Sequence, residues 1–282
     1  MKAIVLAAGL GTRLQPYTLL VPKPMLPLGN KPLLEYIIEW IKESKKIDQI
    51  ILCISYMHRI IEDYFEDGSR FGIKIKYSNT AKPMETAGQL KAAEKLIRRH
   101  DGDTSFVCLY SDHIYDFSLD EMINAHINYD AFITMGLLPY KTRLKYGFID
   151  IQEKEIPKCA TSKGRITNSS SSKKKISKEE RTIKEFHCYN SNRIIAWREK
   201  PEISGLINIG CYVMKPGFLE FIPKSVPFRM DHAIRKILLH QKKFVYGFIT
   251  RSSNFIDIGD KQAYLRMQRE YVNKLKDLSS SI

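Results

Sequence analysis

A short apolar run at residues 2–7 empties directly into Ala8-Gly9-Leu10-Gly11-Thr12-Arg13-Leu14. A segment with helical spacing follows at 31–43, where Leu33, Leu34, Ile37, Ile38 and Ile41 share one face behind Pro32. A strand that ends in glycines and returns through a helix is the opening of a parallel βα unit. The alternation then repeats. Strand-like runs at 49–55, 73–77, 105–110 and 131–138 are separated by helix-like runs at 57–66, 86–97 and 119–129. This order predicts an α/β fold: a doubly wound, mostly parallel (Rossmann-like) mixed sheet with helices on both faces. The second half is more extended, with strands at 194–198 and 206–214, a helix at 230–239, extended runs at 244–250 and 255–258, and a last helix from about 260 to 275.

With 282 residues, 44% of them hydrophobic, the chain can bury the core of one elaborated α/β domain. No apolar run approaches the roughly 20 residues of a membrane span, and residues 1–9 lack the basic start and cleavage site of a signal peptide. The expected address is cytoplasmic, with no membrane partner. Of the five cysteines, Cys53, Cys108 and Cys211 sit in strand-like runs and read as reduced core residues. Cys159, His187 and Cys188 match no common zinc spacing and read as loop residues.

The formal net charge is +14, but it is unevenly spread: residues 158–184 hold nine basic residues against two acidic ones. That stretch includes Ser169–Ser172 and Lys173–Lys175, and it has too little apolar area to offset its ordering entropy. A mobile basic surface insertion is expected there. Nucleic-acid binding would call for aromatics among the cations, and 163–181 has none, so no nucleic acid is expected as a partner.

The glycine loop lies where the C-terminal edge of a parallel sheet binds ligands, and its amides can face an anion. Two familiar phosphate loops are ruled out. Leu14 stands where a dinucleotide fingerprint needs its third glycine, and no Gly-Lys-Ser/Thr follows. Downstream, Lys23 is fixed between Pro22 and Pro24, a stiff mount for a cation. Arg13 and Lys23 together would set two positive charges beside a polyphosphate.

The run from Gly9 through Arg13, Pro16, Thr18 and Pro22-Lys23-Pro24 to Asn30-Lys31-Pro32-Leu33-Leu34-Glu35-Tyr36 resembles the signature of the nucleoside-diphosphate-sugar pyrophosphorylases, the sugar nucleotidyltransferases. Further motifs follow in that family's order: Glu85-Thr86-Ala87-Gly88, Tyr110-Ser111-Asp112, Tyr146-Gly147, Glu199-Lys200-Pro201, Asn208-Ile209-Gly210-Cys211-Tyr212 and Asp257-Ile258-Gly259. The resemblance covers residues 1 to about 270. It implies a GT-A-like nucleotidyltransferase domain over 1–278, with a nucleotide-binding half (1–140) and a sugar-phosphate-binding half (141–278). It also implies a Mg²⁺-dependent reaction in which a nucleoside triphosphate and a sugar 1-phosphate become a nucleotide sugar and pyrophosphate.

The resemblance also implies roles. Arg13, Lys23 and Asp112 are the expected catalytic residues, and Asp112 and Asp257 the expected metal ligands. Leu6, Ala8, Gly9, Gly11, Thr12, Arg13, Thr86, Ala87 and Gly88 are expected at the nucleotide. Tyr146, Gly147, Glu199, Lys200 and Asn208 are expected at the sugar phosphate. The loop Glu85-Thr86-Ala87-Gly88 is similar to the Gly-Thr-Ala-Gly of mannose-1-phosphate guanylyltransferases, with Glu85 in place of glycine, which points to GTP with mannose 1-phosphate. The alternatives are dTTP or UTP with glucose 1-phosphate, as in the thymidylyltransferase group, and a non-catalytic subunit that binds nucleotide sugar. A homo-oligomer is compatible with all of these.

Overall fold

The computed structural model describes residues 1–98, 104–152, 193–240, 244–250 and 255–279. The basic insertion 158–184, with Cys159, His187 and Cys188, lies outside the described residues. Contact clustering divides the chain into two compact units: Met1–Pro139 with Leu206–Ile282, and Tyr140–Gly205.

The strands are β1 (Lys2–Leu6), β2 (Pro27–Leu28), β3 (Lys31–Pro32), β4 (Gln49–Ile54), β5 (Lys74–Asn79), β6 (Phe106–Tyr110), β7 (His113–Ile114), β8 (Ile133–Arg143), β9 (Phe148–Gln152), β10 (Arg193–Arg198), β11 (Glu202–Met214), β12 (Val245–Ile249) and β13 (Ile256–Asp257). The helices are α1 (Leu33–Lys42), α2 (His58–Phe65), α3 (Glu85–Ala92), α4 (Glu94–Ile97), α5 (Leu119–Asn128), α6 (Met230–His240) and α7 (Lys261–Ser279). The large sheet has the order β12-β8-β11-β6-β1-β4-β5. Its β1–β4, β1–β6, β4–β5 and β8–β12 pairings are parallel, and β11 runs antiparallel to β6. The sheet is therefore mixed and mostly parallel, as the alternating pattern predicts.

Period-two side-chain alternation sorts the core onto both faces of this sheet. Ala3, Val5, Leu52 and Leu109 pack toward Ile37, Ile41 and Met122 of α1 and α5. Ile4, Leu6, Ile51, Cys53 and Cys108 pack toward Leu90 and Ile234 of α3 and α6. Cys53, Cys108 and Cys211 are buried free thiols in the strands, and burial pushes the Cys53 thiol up to about 12, which makes it an inert core group. A third, smaller core (Leu14, Leu26, Leu28, Leu33, Ile258 and Tyr264) clamps the loop after β1 against the chain around β13 and α7.

The expected helix over 86–97 is broken at Ala93 into α3 and α4. The pairs β2–β3 and β7–β13 have no counterpart in the sequence reading, because two-residue strands carry no periodicity. Among the described residues, no helix is long and apolar enough to cross a membrane.

His126 of α5 is buried, with Nδ1 3.0 Å from Thr134 Oγ1 and Nε2 3.0 Å from Ser105 Oγ. Burial, with the Lys215 charge nearby, lowers its pKa to about 4. The unfolded chain binds this proton below about pH 6.5 while the folded chain does not, so stability falls as pH drops from about 6.5 to 4. Allowing for solvent screening, the expected loss is on the order of 2 kcal/mol. Denaturant titrations at pH 7 and pH 4.5 check this. His126→Gln should flatten the pH dependence, and an equal acid loss in both proteins would contradict the assignment.

Candidate active site

The parallel strands β1 and β6 end on the same edge of the sheet, and the chain beyond each end builds a cleft of about 320 Å³. Leu6, Gly9, Gly11, Thr12, Arg13, Lys23, Pro24, Thr86, Gln89, Tyr110, Ser111, Asp112 and Gly259 line it. Backbone demands shape the first wall. Gly11 has φ +64°, and a Cβ there would lie 2.8 Å from Thr18 Cγ2 and 3.0 Å from Lys23 Cβ. Only glycine fits that turn without strain. Thr18 closes it from below, its hydroxyl donating to Gly11 O at 2.9 Å.

Lys23 opens a short 3₁₀ turn (Lys23–Met25) after extended Pro22, is 8% exposed, and donates through Nζ to Asp112 Oδ2 at 2.6 Å. Asp112 closes the two-residue turn between β6 and β7. The pairing of β7 with β13 places Asp257 opposite His113, and Ile258 N donates to Asp112 O at 2.9 Å. Two carboxylates 145 residues apart in sequence thus meet in one place. His113 Nε2 stands 3.6 Å from Asp112 Oδ1 and 3.6 Å from Asp257 Oδ1. Hard carboxylate oxygens gathered at one point beside the glycine loop are a donor set that fits a divalent cation, and Asp112, His113 and Asp257 lie within reach of one ion.

The expected nucleotide residues divide into two sets. Leu6, Gly9, Gly11, Thr12, Arg13 and Thr86 face the cleft. The amides of Ala8, Ala87 and Gly88 are committed elsewhere: Ala8 N donates to Gln89 Oε1 at 3.3 Å, and Ala87 and Gly88 both donate to Phe228 O at 2.8 and 3.0 Å. The Thr86 hydroxyl accepts from Met230 N at 2.9 Å. The start of α3 therefore anchors the loop before α6, with the backbone N–H groups of Ala87 and Gly88 directed to Phe228 O. Glu85 has φ +56°, in the left-handed region that favours glycine.

Asn208 lies in the same unit, with Oδ1 accepting from Gly210 N at 3.1 Å and Nδ2 donating to Tyr212 OH at 2.6 Å. The other expected sugar residues belong to the second unit and come together there. Phe148 pairs with Arg198 between β9 and β10. A Cβ on Gly147 would lie 2.9 Å from the Trp197 ring and 3.2 Å from Glu199 Oε2, and Trp197 Nε1 donates to Glu199 Oε2 at 3.3 Å. Lys200 has φ +44°, its carbonyl accepts from Arg143 Nε at 3.1 Å, and Tyr146 is exposed.

Two residues of the site are not singled out by the sequence: Gln89, which lines the cleft, and His113, which stands beside the two carboxylates. Gln89 lies one turn beyond the Thr86 motif, and its only signal is that spacing. A lone histidine after a strand carries no functional signal of its own, so His113 emerges only once β13 is paired.

The family profile described as "Nucleotidyl transferase" matches residues 2–168. The chain is 34% identical over 272 residues to the D-glycero-alpha-D-manno-heptose 1-phosphate guanylyltransferase of Aneurinibacillus thermoaerophilus, covering 96% of this chain and 98% of that protein. It is 31% identical to the mannose-1-phosphate guanylyltransferase catalytic subunit beta of Danio rerio, covering 98% of this chain and 66% of that one. Among solved structures, HddC from Yersinia pseudotuberculosis complexed with GMP-PN aligns with a TM-score of 0.63 at 21% identity, covering 96% of this chain and 99% of that one, which bears on the fold alone. The cleft after β1, the relative matched over nearly its whole length and the profile agree: the chain belongs to the nucleotidyl transferase family and is an enzyme of its sugar nucleotidyltransferase branch.

Proposed function

We propose that the protein transfers a guanylyl group from GTP to a 1-phosphate of a manno-configured sugar, mannose 1-phosphate first among them, and releases pyrophosphate. The observation that carries the reaction is the convergence of Arg13, Lys23, Thr86 and Asp112 on one cleft at the sheet edge. The guanylyl and manno preference is supported by the names of the 34% and 31% identical relatives and by the Glu85-Thr86-Ala87-Gly88 loop.

An anionic oxygen of the sugar phosphate attacks the α-phosphorus in line. One P–O bond forms, the bond to the β-phosphate oxygen breaks, and pyrophosphate leaves with that electron pair. The nucleophile is already anionic, so no protein base is required, and the protein's work is positioning and charge stabilisation. Arg13 and Lys23 stabilise negative charge on the triphosphate as it moves toward the leaving group. Lys23, buried and held by the 3₁₀ turn and Asp112, presents its charge without reorganisation. Gly9, Gly11 and Thr12 allow close approach of the phosphates, and Leu6 and Thr86 border the nucleoside. Asp112 and Asp257 would hold the divalent cation, assigned here as Mg²⁺, whose chemistry when bound is to neutralise the two anionic substrates. Tyr146, Gly147, Glu199, Lys200 and Asn208 are assigned to the sugar phosphate, with Lys200 as its counter-charge.

The test is pyrophosphate release over a matrix of nucleoside triphosphates and sugar 1-phosphates. GTP with mannose or manno-heptose 1-phosphate should give the highest kcat/KM. Preference for dTTP or UTP would overturn the guanylyl reading, and no release with any pair would overturn the catalytic one. Lys200→Ala should raise KM for the sugar phosphate roughly tenfold or more, the loss of one charge-assisted contact, with little change in KM for the nucleotide. Equal effects on both substrates would contradict the role given to Lys200.

A further inference from the structure

Building on the metal-dependent transfer proposed above, we propose that His113 is a third ligand of the divalent cation, its Nε2 joining one carboxylate oxygen each from Asp112 and Asp257. The site is then an oxygen-oxygen-nitrogen set that ranks Mn²⁺ above Mg²⁺ in affinity.

The tautomer comes first. His113 Nδ1 lies 2.9 Å from Ile209 O, and a carbonyl can only accept, so Nδ1 carries the proton. In the neutral ring the lone pair is then on Nε2, the atom turned toward both carboxylates. A backbone carbonyl fixing one imidazole nitrogen while the other faces outward is the usual support of a metal-bound histidine.

Spacing comes second. At 3.6 Å, Nε2 is beyond ordinary hydrogen-bond distance from either Asp112 Oδ1 or Asp257 Oδ1. With all three residues' ligand atoms within 4.8 Å of one another, a common centre lies roughly 2–2.4 Å from each, the span of divalent-cation bonds to oxygen and nitrogen. Lys23 engages the opposite oxygen of Asp112, Oδ2, which leaves Oδ1 to this centre.

The fold also holds the ring in place. Gly210 of β11 sits at φ +67°, and a Cβ there would lie 2.9 Å from His113 Nδ1 and 2.5 Å from the Tyr110 ring. The strand thus gives up a side chain at the position where the imidazole meets its backbone. Tyr110, Tyr115 and Phe255 stand around the ring at centroid distances of 5.7, 6.1 and 5.0 Å, and the residue is 9% exposed. A two-carboxylate site is hard and suits Mg²⁺, which seldom takes nitrogen. An imidazole shifts the preference toward Mn²⁺ and Co²⁺.

Pulsed EPR on the full-length protein, stripped with chelator and loaded with Mn²⁺ alone, reads the ligand directly. An imidazole ¹⁴N coupling should appear, convert to the ¹⁵N pattern when histidine is ¹⁵N-labelled, and vanish in His113→Gln. Mn²⁺ affinity in that variant should fall about tenfold or more, while Mg²⁺ affinity, read by competition, changes less. His113→Asn repeats the comparison should the glutamine variant fold poorly, and the labelled wild-type protein needs no variant at all. Mn²⁺ bound in an Asp257-dependent way without histidine nitrogen coupling would overturn the His113 assignment and leave the carboxylate site standing. A nitrogen coupling that persists in His113→Gln would overturn it as well. Failure to bind Mn²⁺ with or without GTP would overturn the carboxylate metal site too.

Discussion

Asp112→Asn is expected to lower kcat on the order of 10³-fold, with a folded protein left behind. The substitution removes one negative charge and keeps the volume. The Asp112 carbonyl still accepts from Ile258 N, so the connection to the chain after β13 survives. The new amide oxygen can still accept from Lys23 Nζ, now 2.6 Å from the carboxylate, but it no longer neutralises that buried ammonium. Affinity for the divalent cation drops with the charge, as hard cations prefer carboxylate oxygen. Pyrophosphate release at saturating divalent cation measures the rate, and denaturant unfolding should show a change of only about 1–2 kcal/mol. A variant with the wild-type kcat would remove Asp112 from the catalytic machinery.

The second large effect is expected for Lys23→Ala, which should show in two measurements at once. Loss of a preorganised cation at a site of developing negative charge lowers kcat by about 10²–10³-fold. It also leaves Asp112, 24% exposed at its side chain, without its close partner, and a loss of about 1–3 kcal/mol in stability follows. Lys23→Arg keeps the charge but should recover little of the rate. The planar guanidinium cannot occupy the place of an ammonium held 2.6 Å from Asp112 Oδ2. Nucleotide kinetics in Lys23→Ala equal to those of the wild type would contradict this role.

Much of the fold was legible because its signals are local. The spacing of Leu33, Leu34, Ile37, Ile38 and Ile41 predicts α1, and the apolar runs of β1, β4 and β6 predict buried parallel strands. The loop after β1 was readable for a different reason. A glycine turn and a proline-flanked lysine have few uses, and the fold sets them side by side: a Cβ on Gly11 would lie 3.0 Å from Lys23 Cβ. Less legible were features that depend on partners far away in sequence. Nothing within 85–88 says that two of its amides are taken by Phe228 O, because the acceptor lies 140 residues further on.

The sequence by itself determined the sheet, the glycine turn after β1 and the identity of the charged groups, since periodicity, glycine and proline chemistry and residue type act over a few positions. The tertiary structure decided which of those groups meet. Asp257 reaches Asp112 only through a two-residue strand pair too short to leave a pattern, clamped by the small core of Leu14, Leu33, Ile258 and Tyr264. His113 acquires its place only because Gly210, in a strand nearly a hundred residues away, adopts a left-handed turn that opens room for the ring. Long-range packing sets such distances, and it sums contributions that no short window of sequence contains.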